Sequence, residues 1–267
     1  MTAADPTRAD RAQETRTGAG LDETFVLLDN SSGRGPPTLL FTDPVEIVSA
    51  AAPDDVPAAL ARLEAATASG LYAAGYFAYV LEPKIRALLP EGRNVPLLWF
   101  GLYRAPREMS EREVDHWLAT HTRSGSYQFT SVTCAWNQAE YEERFSAVQD
   151  KIRAGDIYQL NLTFKARFRL EGSPLTFYRD MRQRQRVAYA GIVDTGEVTV
   201  LSASPELFIE KHGQVISTRP MKGTAPRAGT PEADADQRRV LATDVKQRAE
   251  NLMIVDLMRN DLGRIAE

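Results

Sequence analysis

GDIYQLNLTFKARF, residues 155–168, alternates apolar and polar side chains from Ile157 onward. One set of alternate positions is mainly apolar: Tyr158, Leu160, Leu162, Phe164, Ala166 and Phe168. The intervening positions are polar: Gln159, Asn161, Thr163, Lys165 and Arg167. A period of two predicts a β-strand, because successive side chains of a strand point to opposite faces of the sheet. The segment therefore predicts a strand whose polar face is either solvated or functional.

The sequence on both sides of this segment predicts further strands and helices. Before it, Asn137 and Glu140 have capping spacing, apolar residues follow at helical intervals, and Gly155 is placed to end the helix. After it, strands are predicted over 187–193 and 198–201, and a hairpin joins 207–210 to 215–218 around His212-Gly213. Helices return from about Pro231.

The first half of the chain mixes the same two kinds of element. Strands are predicted over 25–28, 71–80 and 97–103, with Gly75 marking a close approach of two backbones. Helices are predicted over 53–70 and 110–120, the second with a Ser110–Glu113 capping box. The pattern predicts an α+β fold, in which helices pack on the outside of antiparallel β-sheets.

Composition limits the possible domains and partners. The chain has 267 residues, 43% of them hydrophobic and 25% charged, which is enough for one large or two small domains. We divide it into a disordered leader (1–20), an amino-terminal α+β region (21–128) and a second region (129–267). A net charge of -4 argues against nucleic acid as a partner. No signal peptide or membrane span is evident, and Cys134 is the only cysteine, so we expect a cytoplasmic protein without a membrane partner.

Lys222 lies in TRPMKGTAPR (218–227), a segment with more specific polar content than folding requires. An amine in a partly desolvated pocket loses its proton more easily and becomes a usable nucleophile near neutral pH. Gly223 and Thr224 follow it and allow close approach of a small ligand, so they are candidate substrate-binding residues. The plain alternative is a solvated surface lysine, which is the usual fate of a single lysine.

Two carboxylates accompany the lysine in similarly polar segments. Glu206, in SASPELF (202–208), precedes Lys222 by sixteen positions and is either a general acid or the cap of a turn. Glu250, in KQRAENLMIVDLMRNDLGR (246–264), stands at the end of the apolar stripe of a predicted helix. A carboxylate there is either simply solvated or a ligand for a hard cation such as Mg²⁺.

These segments, together with GDIYQLNL (155–162), resemble the chorismate-utilising enzymes, which include anthranilate, aminodeoxychorismate, isochorismate and salicylate synthases. The resemblance is strong from about residue 137 onward and weaker through LLDNSS (27–32) and AAGYFAY (73–79). It implies an anthranilate synthase component I-like fold. It also implies that the catalytic domain continues beyond residue 267, so we expect the carboxyl-terminal half of the fold to be missing from this sequence.

The resemblance also implies residue roles. Within the family, a lysine at the position of Lys222 is typical of the aminodeoxychorismate synthase component I group, where it attacks C2 of chorismate and Glu206 helps protonate the departing C4 hydroxyl. Gln159 stands where isochorismate and salicylate synthases carry a water-activating lysine. An amide cannot act as a base, so Gln159 is expected to bind substrate rather than deliver water. Glu250 matches a Mg²⁺ ligand of the family.

The implied function is the conversion of chorismate and ammonia to 4-amino-4-deoxychorismate in para-aminobenzoate and folate biosynthesis. A partner glutamine amidotransferase is expected to supply the ammonia. Two alternatives stay open, an anthranilate synthase component I-like enzyme and a non-catalytic, truncated fragment of the family.

Overall fold

A computed structural model describes residues 24–81, 95–122 and 125–266. In chain order its main elements are β1 (Phe25–Asp29), β2 (Thr38–Phe41), β3 (Glu46–Ala50), α1 (Val56–Ala68), β4 (Tyr72–Phe77), β5 (Leu98–Tyr103), β6 (Arg107–Met109), α2 (Glu111–His121), β7 (Tyr127–Cys134), α3 (Gln138–Ala154), β8 (Ala166–Gly172), α4 (Pro174–Arg184), β9 (Tyr189–Asp194), β10 (Thr199–Ser204), β11 (Leu207–His212), β12 (Val215–Arg219), α5 (Pro231–Thr243) and α6 (Val245–Leu262). Short 3-10 helices cover Pro53–Asp55 and Tyr79–Leu81.

The chain forms two compact units that are discontinuous in sequence. Unit 1 contains the described residues up to Phe129 together with Leu170–Ala203. Unit 2 contains Thr130–Arg169 and the described residues from Ser204 onward. The strand pair β7–β8 and the end of β10 lie where the chain passes from one unit to the other. The expected three-segment division stays a prediction, and its leader lies outside the described residues.

Two sheets form the frame of unit 1. The first has the order β10-β9-β1-β2-β6, and the second has the order β3-β5-β4. In the first, Leu27 of β1 stands opposite Leu40 on one side and Ile192 on the other, and both pairings are antiparallel. In the second, β5 pairs antiparallel with both neighbours. A Cβ at Gly75 would lie 2.0 Å from the carbonyl oxygen of Trp99, which confirms the close backbone approach predicted there.

Unit 1 is built in layers, because successive side chains of its strands pack on opposite faces of the sheets. Phe25 and Leu27 on one face of β1 pack with residues of α2 and α4, including Trp117 and Tyr178. Val26, on the opposite face of β1, belongs to a cluster that residues of the second sheet complete: Ala74, Trp99 and Tyr103. The other face of the second sheet buries α1 through Ala59, Leu63 and Ala66. The order is therefore helix, sheet, sheet, helix.

A buried ionic cluster joins β1 to α4 within unit 1. Asp29 Oδ2 accepts hydrogen bonds from Arg182 Nε at 2.8 Å and from the Tyr178 hydroxyl at 2.9 Å. Arg182 Nη1 also donates to Asp115 Oδ1 at 2.8 Å. Burial, with the nearby charge of Asp29, raises the pKa of Tyr178, so this phenol stays protonated. The cluster pairs two charges that neither element could bury alone, although Arg182 Nη2 has no hydrogen-bond partner among the described residues.

Unit 2 is organised by helix caps and a hairpin. Asn137 Oδ1 accepts from the backbone N–H of Glu140 at 3.0 Å, and Glu140 Oε2 accepts from that of Asn137 at 2.8 Å, which completes a capping box for α3. Gly155 ends α3 at φ +80°. The β11–β12 hairpin is antiparallel, with His212 opposite Val215. These features confirm the predicted helix over 137–155 and the predicted hairpin.

The strand predicted over the opening segment is only partly present. Residues 157–165 have no regular secondary structure, and β8 begins at Ala166, so the predicted strand is wrong over the first nine positions. Alternation fixes which side chains share a face, but a strand also needs a partner for its backbone groups. Here the Lys165 carbonyl accepts from the backbone N–H of Ala135 at 2.8 Å, and the side chains of Gln159 and Asn161 make further long-range bonds.

The remaining elements confirm an α+β fold with antiparallel sheets and helices outside them. The predicted strands near 25–28, 71–80, 97–103, 187–193 and 198–201 are present, as are the helices near 53–70 and 110–120. Sequence reasoning missed β2, β3, β6, β7 and α4. Among the described helices, none combines the length and the apolar character that crossing a bilayer requires.

Candidate functional site

Lys222 lies in unit 2, in the segment without regular structure between β12 and α5. Its side chain is half-buried, and Nζ donates a hydrogen bond to Asn161 Oδ1 at 3.0 Å. Within the described residues it forms no ion pair. The Lys222 amine therefore donates to a neutral acceptor rather than to a carboxylate.

Gly223 allows this segment to pass close to helix α6. Its φ is +83°, and a Cβ there would lie 3.1 Å from Gln247 Oε1 and 3.2 Å from Gln247 Cβ. A side chain at this position would be strained by the backbone conformation and crowded by Gln247. The close approach seen at Gly223 is to α6, and the approach of a small ligand expected there stays a prediction. Thr224 is exposed and has no hydrogen bond within the described residues.

Glu206 precedes β11 and reaches the residue before the lysine. Its Oε1 accepts a hydrogen bond from the backbone N–H of Met221 at 2.8 Å. Its own backbone is held by Ser204, whose Oγ accepts from the Glu206 N–H at 3.3 Å and donates to the Glu206 carbonyl at 3.1 Å. Glu206 is exposed, so its second carboxylate oxygen can be reached from solvent.

Gln159 and Glu250 meet through a backbone contact. Gln159 Nε2 donates to the carbonyl oxygen of Glu250 at 3.3 Å, which ties the irregular segment to α6. The Glu250 side chain is half-buried, and its Oε1 lies 3.8 Å from Lys246 Nζ one turn earlier. Across the described ranges, no group of three or more His, Cys, Asp or Glu side chains is arranged to hold a metal ion.

The end of the lysine segment is anchored to α5. Asp234 Oδ1 accepts from Arg227 Nε at 2.6 Å and from the backbone N–H of Ala228 at 3.3 Å. The hydrogen bond from Arg227 holds the pKa of Asp234 below its usual range, although burial acts in the opposite direction. Asp234 is one of the few buried residues of unit 2, and it fixes where the segment meets the helix.

The structure thus connects Lys222, Gly223, Glu206, Gln159 and Glu250 through their contacts and those of their chain neighbours, but among the described residues it shows no such contact for Thr224. Lys222 contacts Asn161, Gly223 contacts Gln247, Glu206 contacts Met221, and Gln159 contacts Glu250. Sequence reasoning did not single out Asn161 and Gln247. The signal was present, since Asn161 shares a face with Gln159, and Gln247 precedes Glu250 by three positions, about one helical turn.

The known proteins that resemble this chain are named as chorismate-related enzymes. The family described as chorismate binding enzyme matches residues 23–267. Aminodeoxychorismate synthase component 1 of Klebsiella aerogenes is 43% identical over 155 residues, which are 57% of this chain and 34% of the relative. Anthranilate synthase component 1 of Thermus thermophilus is 39% identical over 195 residues, which are 70% of this chain and 41% of the relative. The matched residues thus span 34% of the length of the first of these relatives.

A solved structure supports the fold. Anthranilate synthase component I from Streptococcus pneumoniae superposes with a TM-score of 0.63 at 18% identity, over 98% of this chain and 67% of that chain. At this identity the likeness concerns the fold alone. The family match, by contrast, extends over nearly all of the sequence. The chain therefore belongs to the chorismate binding enzyme family.

Proposed function

We propose that this chain carries the amination site of an aminodeoxychorismate synthase component I, with Lys222 as the nucleophile. The reaction joins chorismate and ammonia to give 4-amino-4-deoxychorismate for para-aminobenzoate and folate biosynthesis. The observation that carries the proposal is the setting of Lys222, whose amine is held by Asn161 while Glu206 holds the adjacent backbone. Relatives named for this activity are 43% and 38% identical to the chain over the matched residues.

The reaction balances with these residues. The Lys222 amine bonds to C2 of chorismate, the ring double bonds shift, and the C4 hydroxyl leaves as water with a proton from Glu206. Ammonia then bonds to C4, the double bonds shift back, and the C2–N bond breaks to return the amine. Gln159, Gly223 and Thr224 line the approach to the amine. A glutamine amidotransferase partner supplies the ammonia, and the cytoplasm is the proposed location.

Glu250 is the proposed protein ligand for Mg²⁺. Mg²⁺ often takes one or two carboxylates and keeps several waters, so one half-buried carboxylate on α6 fits such a site. When bound, Mg²⁺ supplies positive charge that neutralises a carboxylate of the substrate. The chain's own contribution is the orientation of Glu250, whose backbone carbonyl is held by Gln159.

The experiment looks for the covalent step directly. Protein is incubated with chorismate and Mg²⁺ without ammonia, and the peptide that contains Lys222 is examined by mass spectrometry for chorismate minus water. Ammonium is then added and the products are identified by liquid chromatography. We expect the adduct and 4-amino-4-deoxychorismate from the unmodified protein, and a loss of product of roughly 100-fold or more in Lys222→Ala.

Lys211→Ala is the matched control, because Lys211 is an exposed lysine of β11 in the same unit. It should leave product formation unchanged, and circular dichroism should show that Lys222→Ala is folded. Anthranilate as the sole product would replace the proposal with the anthranilate synthase alternative. Absence of both adduct and product would instead favour a non-catalytic member of the family.

A further inference from the structure

The hydrogen bond between Lys222 and Asn161 joins two segments that are far apart in sequence. Nζ lies 3.0 Å from Asn161 Oδ1, and no other partner for Nζ occurs in the described part of the chain. A lysine side chain has four rotatable bonds, and fixing them costs up to about 2 kcal/mol of conformational free energy. A nucleophile confined by a partner arrives at its target already oriented.

The acceptor is chemically suited to an amine that must lose a proton. A carboxylate at this distance would favour the charged ammonium strongly, whereas an amide oxygen accepts a hydrogen bond without adding a negative charge. Charged groups on the neighbouring elements include Glu206 before β11, Arg219 at the end of β12, and Lys246, Arg248 and Glu250 in the first turns of α6. Glu206 is engaged with Met221, and Lys246 lies beside Glu250, so neither carboxylate forms an ion pair with Lys222 among the described residues.

The irregular segment that carries Asn161 is tied to α6. Two residues earlier, Gln159 Nε2 donates to the Glu250 carbonyl on α6. On the other side of the contact, Gly223 lies against Gln247, also on α6. Both segments therefore contact α6, and the Asn161–Lys222 hydrogen bond joins the two segments to each other.

We propose that Asn161 is the positioning residue of the Lys222 nucleophile, held against helix α6 through the Gln159–Glu250 contact. This inference rests on the proposed function, since it assigns Asn161 a part in the same reaction. Among the described residues, the Asn161 amide N–H groups have no hydrogen-bond partner, so they are available to an oxygen of the bound substrate. Asn161 orients the amine and does not exchange protons with it.

The test measures the Lys222 amine without requiring turnover. Each lysine is acylated over a pH series and quantified by mass spectrometry, with Lys211 as the internal reference. In Asn161→Asp, a carboxylate beside the amine should move Lys222 labelling to higher pH, with labelling at pH 8 slowed about threefold or more. In Asn161→Ala, labelling should instead become faster, by about twofold, because the ammonium loses its acceptor. Thr163→Ala, an exposed position on the same segment, should match the unmodified protein.

The second readout is the division between kcat and KM in the amination assay. Asn161→Ala should lower kcat by roughly tenfold or more and leave KM for chorismate within about twofold, since misplacement of a nucleophile costs rate more than binding. Labelling profiles of both Asn161 variants that coincide with that of Thr163→Ala would overturn the inference, even if Lys222→Ala abolishes amination. If Lys222→Ala retains full amination, the proposed function fails and the positioning role fails with it, whatever the labelling shows.

Discussion

Unit 1 contains all three clusters of buried hydrophobic side chains found in the described part of the chain, whereas unit 2 buries only Leu207 and Asp234 there. The difference does not come from composition. Leu252 and Leu257, in the apolar stretch of α6, are 64% and 52% exposed, while Leu102 of β5 is 0% exposed. A side chain is buried only when another element covers it, so apolar sequence alone does not establish a core.

The contrast matters for the site because all the candidate residues lie in unit 2. Their geometry is set by hydrogen bonds and by the close approach at Gly223 rather than by packing in a core. Each such bond contributes about 0.5–1.5 kcal/mol, much less than the burial of a large core side chain. Single substitutions in unit 2 are therefore expected to alter chemistry with little effect on global stability.

Leu102→Ala compared with Leu252→Ala should give the largest difference. Leu102 packs with α1 residues in the second sheet, so its truncation leaves a cavity and should cost about 2–5 kcal/mol of unfolding free energy. Leu252 is mostly exposed, and its truncation should cost less than about 0.5 kcal/mol. Urea unfolding followed by fluorescence measures both values. Equal losses would show that α6 is covered in solution and would remove the contrast.

Tyr103 provides a second test within unit 1. It is fully buried, its hydroxyl has no hydrogen-bond partner among the described residues, and burial raises its pKa to about 12. The folded state binds this proton more tightly than the unfolded state, whose tyrosine pKa is about 10. The resulting stability is complete below pH 10 and is lost as the pH rises toward 12, by about 2 kcal/mol.

Tyr103→Phe should remove this part of the alkaline loss, whereas the part that comes from the buried Tyr178 remains. Because an unpaired buried hydroxyl is removed, the variant should also gain about 1 kcal/mol at pH 8. Tyr72→Phe, at a position that is about half exposed, is the control and should follow the parent protein. Urea unfolding at pH 8 and pH 11 provides the measurement. A parallel decline of the Tyr103→Phe variant and the parent protein would contradict the prediction.

The sequence was sufficient where structure depends on near neighbours. The capping boxes at Ser110 and Asn137, the helix end at Gly155 and the backbone approach at Gly75 were all readable from short motifs. The pairing of β1 with β9 was not, because it joins strands from distant parts of the sequence whose alternation would fit many partners. Tertiary contacts decide such pairings.

The same limit applies to the candidate site. Lys222, Glu206 and Glu250 could be selected from motifs, but the acceptor of the lysine could not, because Asn161 is distant in sequence and lies in a segment whose alternation predicted a strand. The local pattern placed Asn161 on the same face as Gln159, but it predicted the wrong backbone over 157–165. Gln247 was equally hidden, since its approach to Gly223 is a tertiary contact between residues distant in sequence.

Matched helix caps should show the smallest effect and the sharpest contrast. Ser110 and Asn137 each complete a capping box, at α2 in unit 1 and α3 in unit 2. Replacement of either by alanine removes about 1 kcal/mol of helix stability. Helix α2 buries Val114, Trp117 and Leu118, so Ser110→Ala should lower global unfolding free energy by about 1 kcal/mol, and Ser110→Thr should restore most of it.

Helix α3 has no buried residue, so Asn137→Ala should leave global unfolding nearly unchanged and reduce hydrogen-exchange protection of the α3 amides about fivefold. Asn137→Asp, which keeps a capping oxygen, should preserve that protection. Equal global losses in the two alanine variants would mean that α3 unfolds together with the core of unit 1.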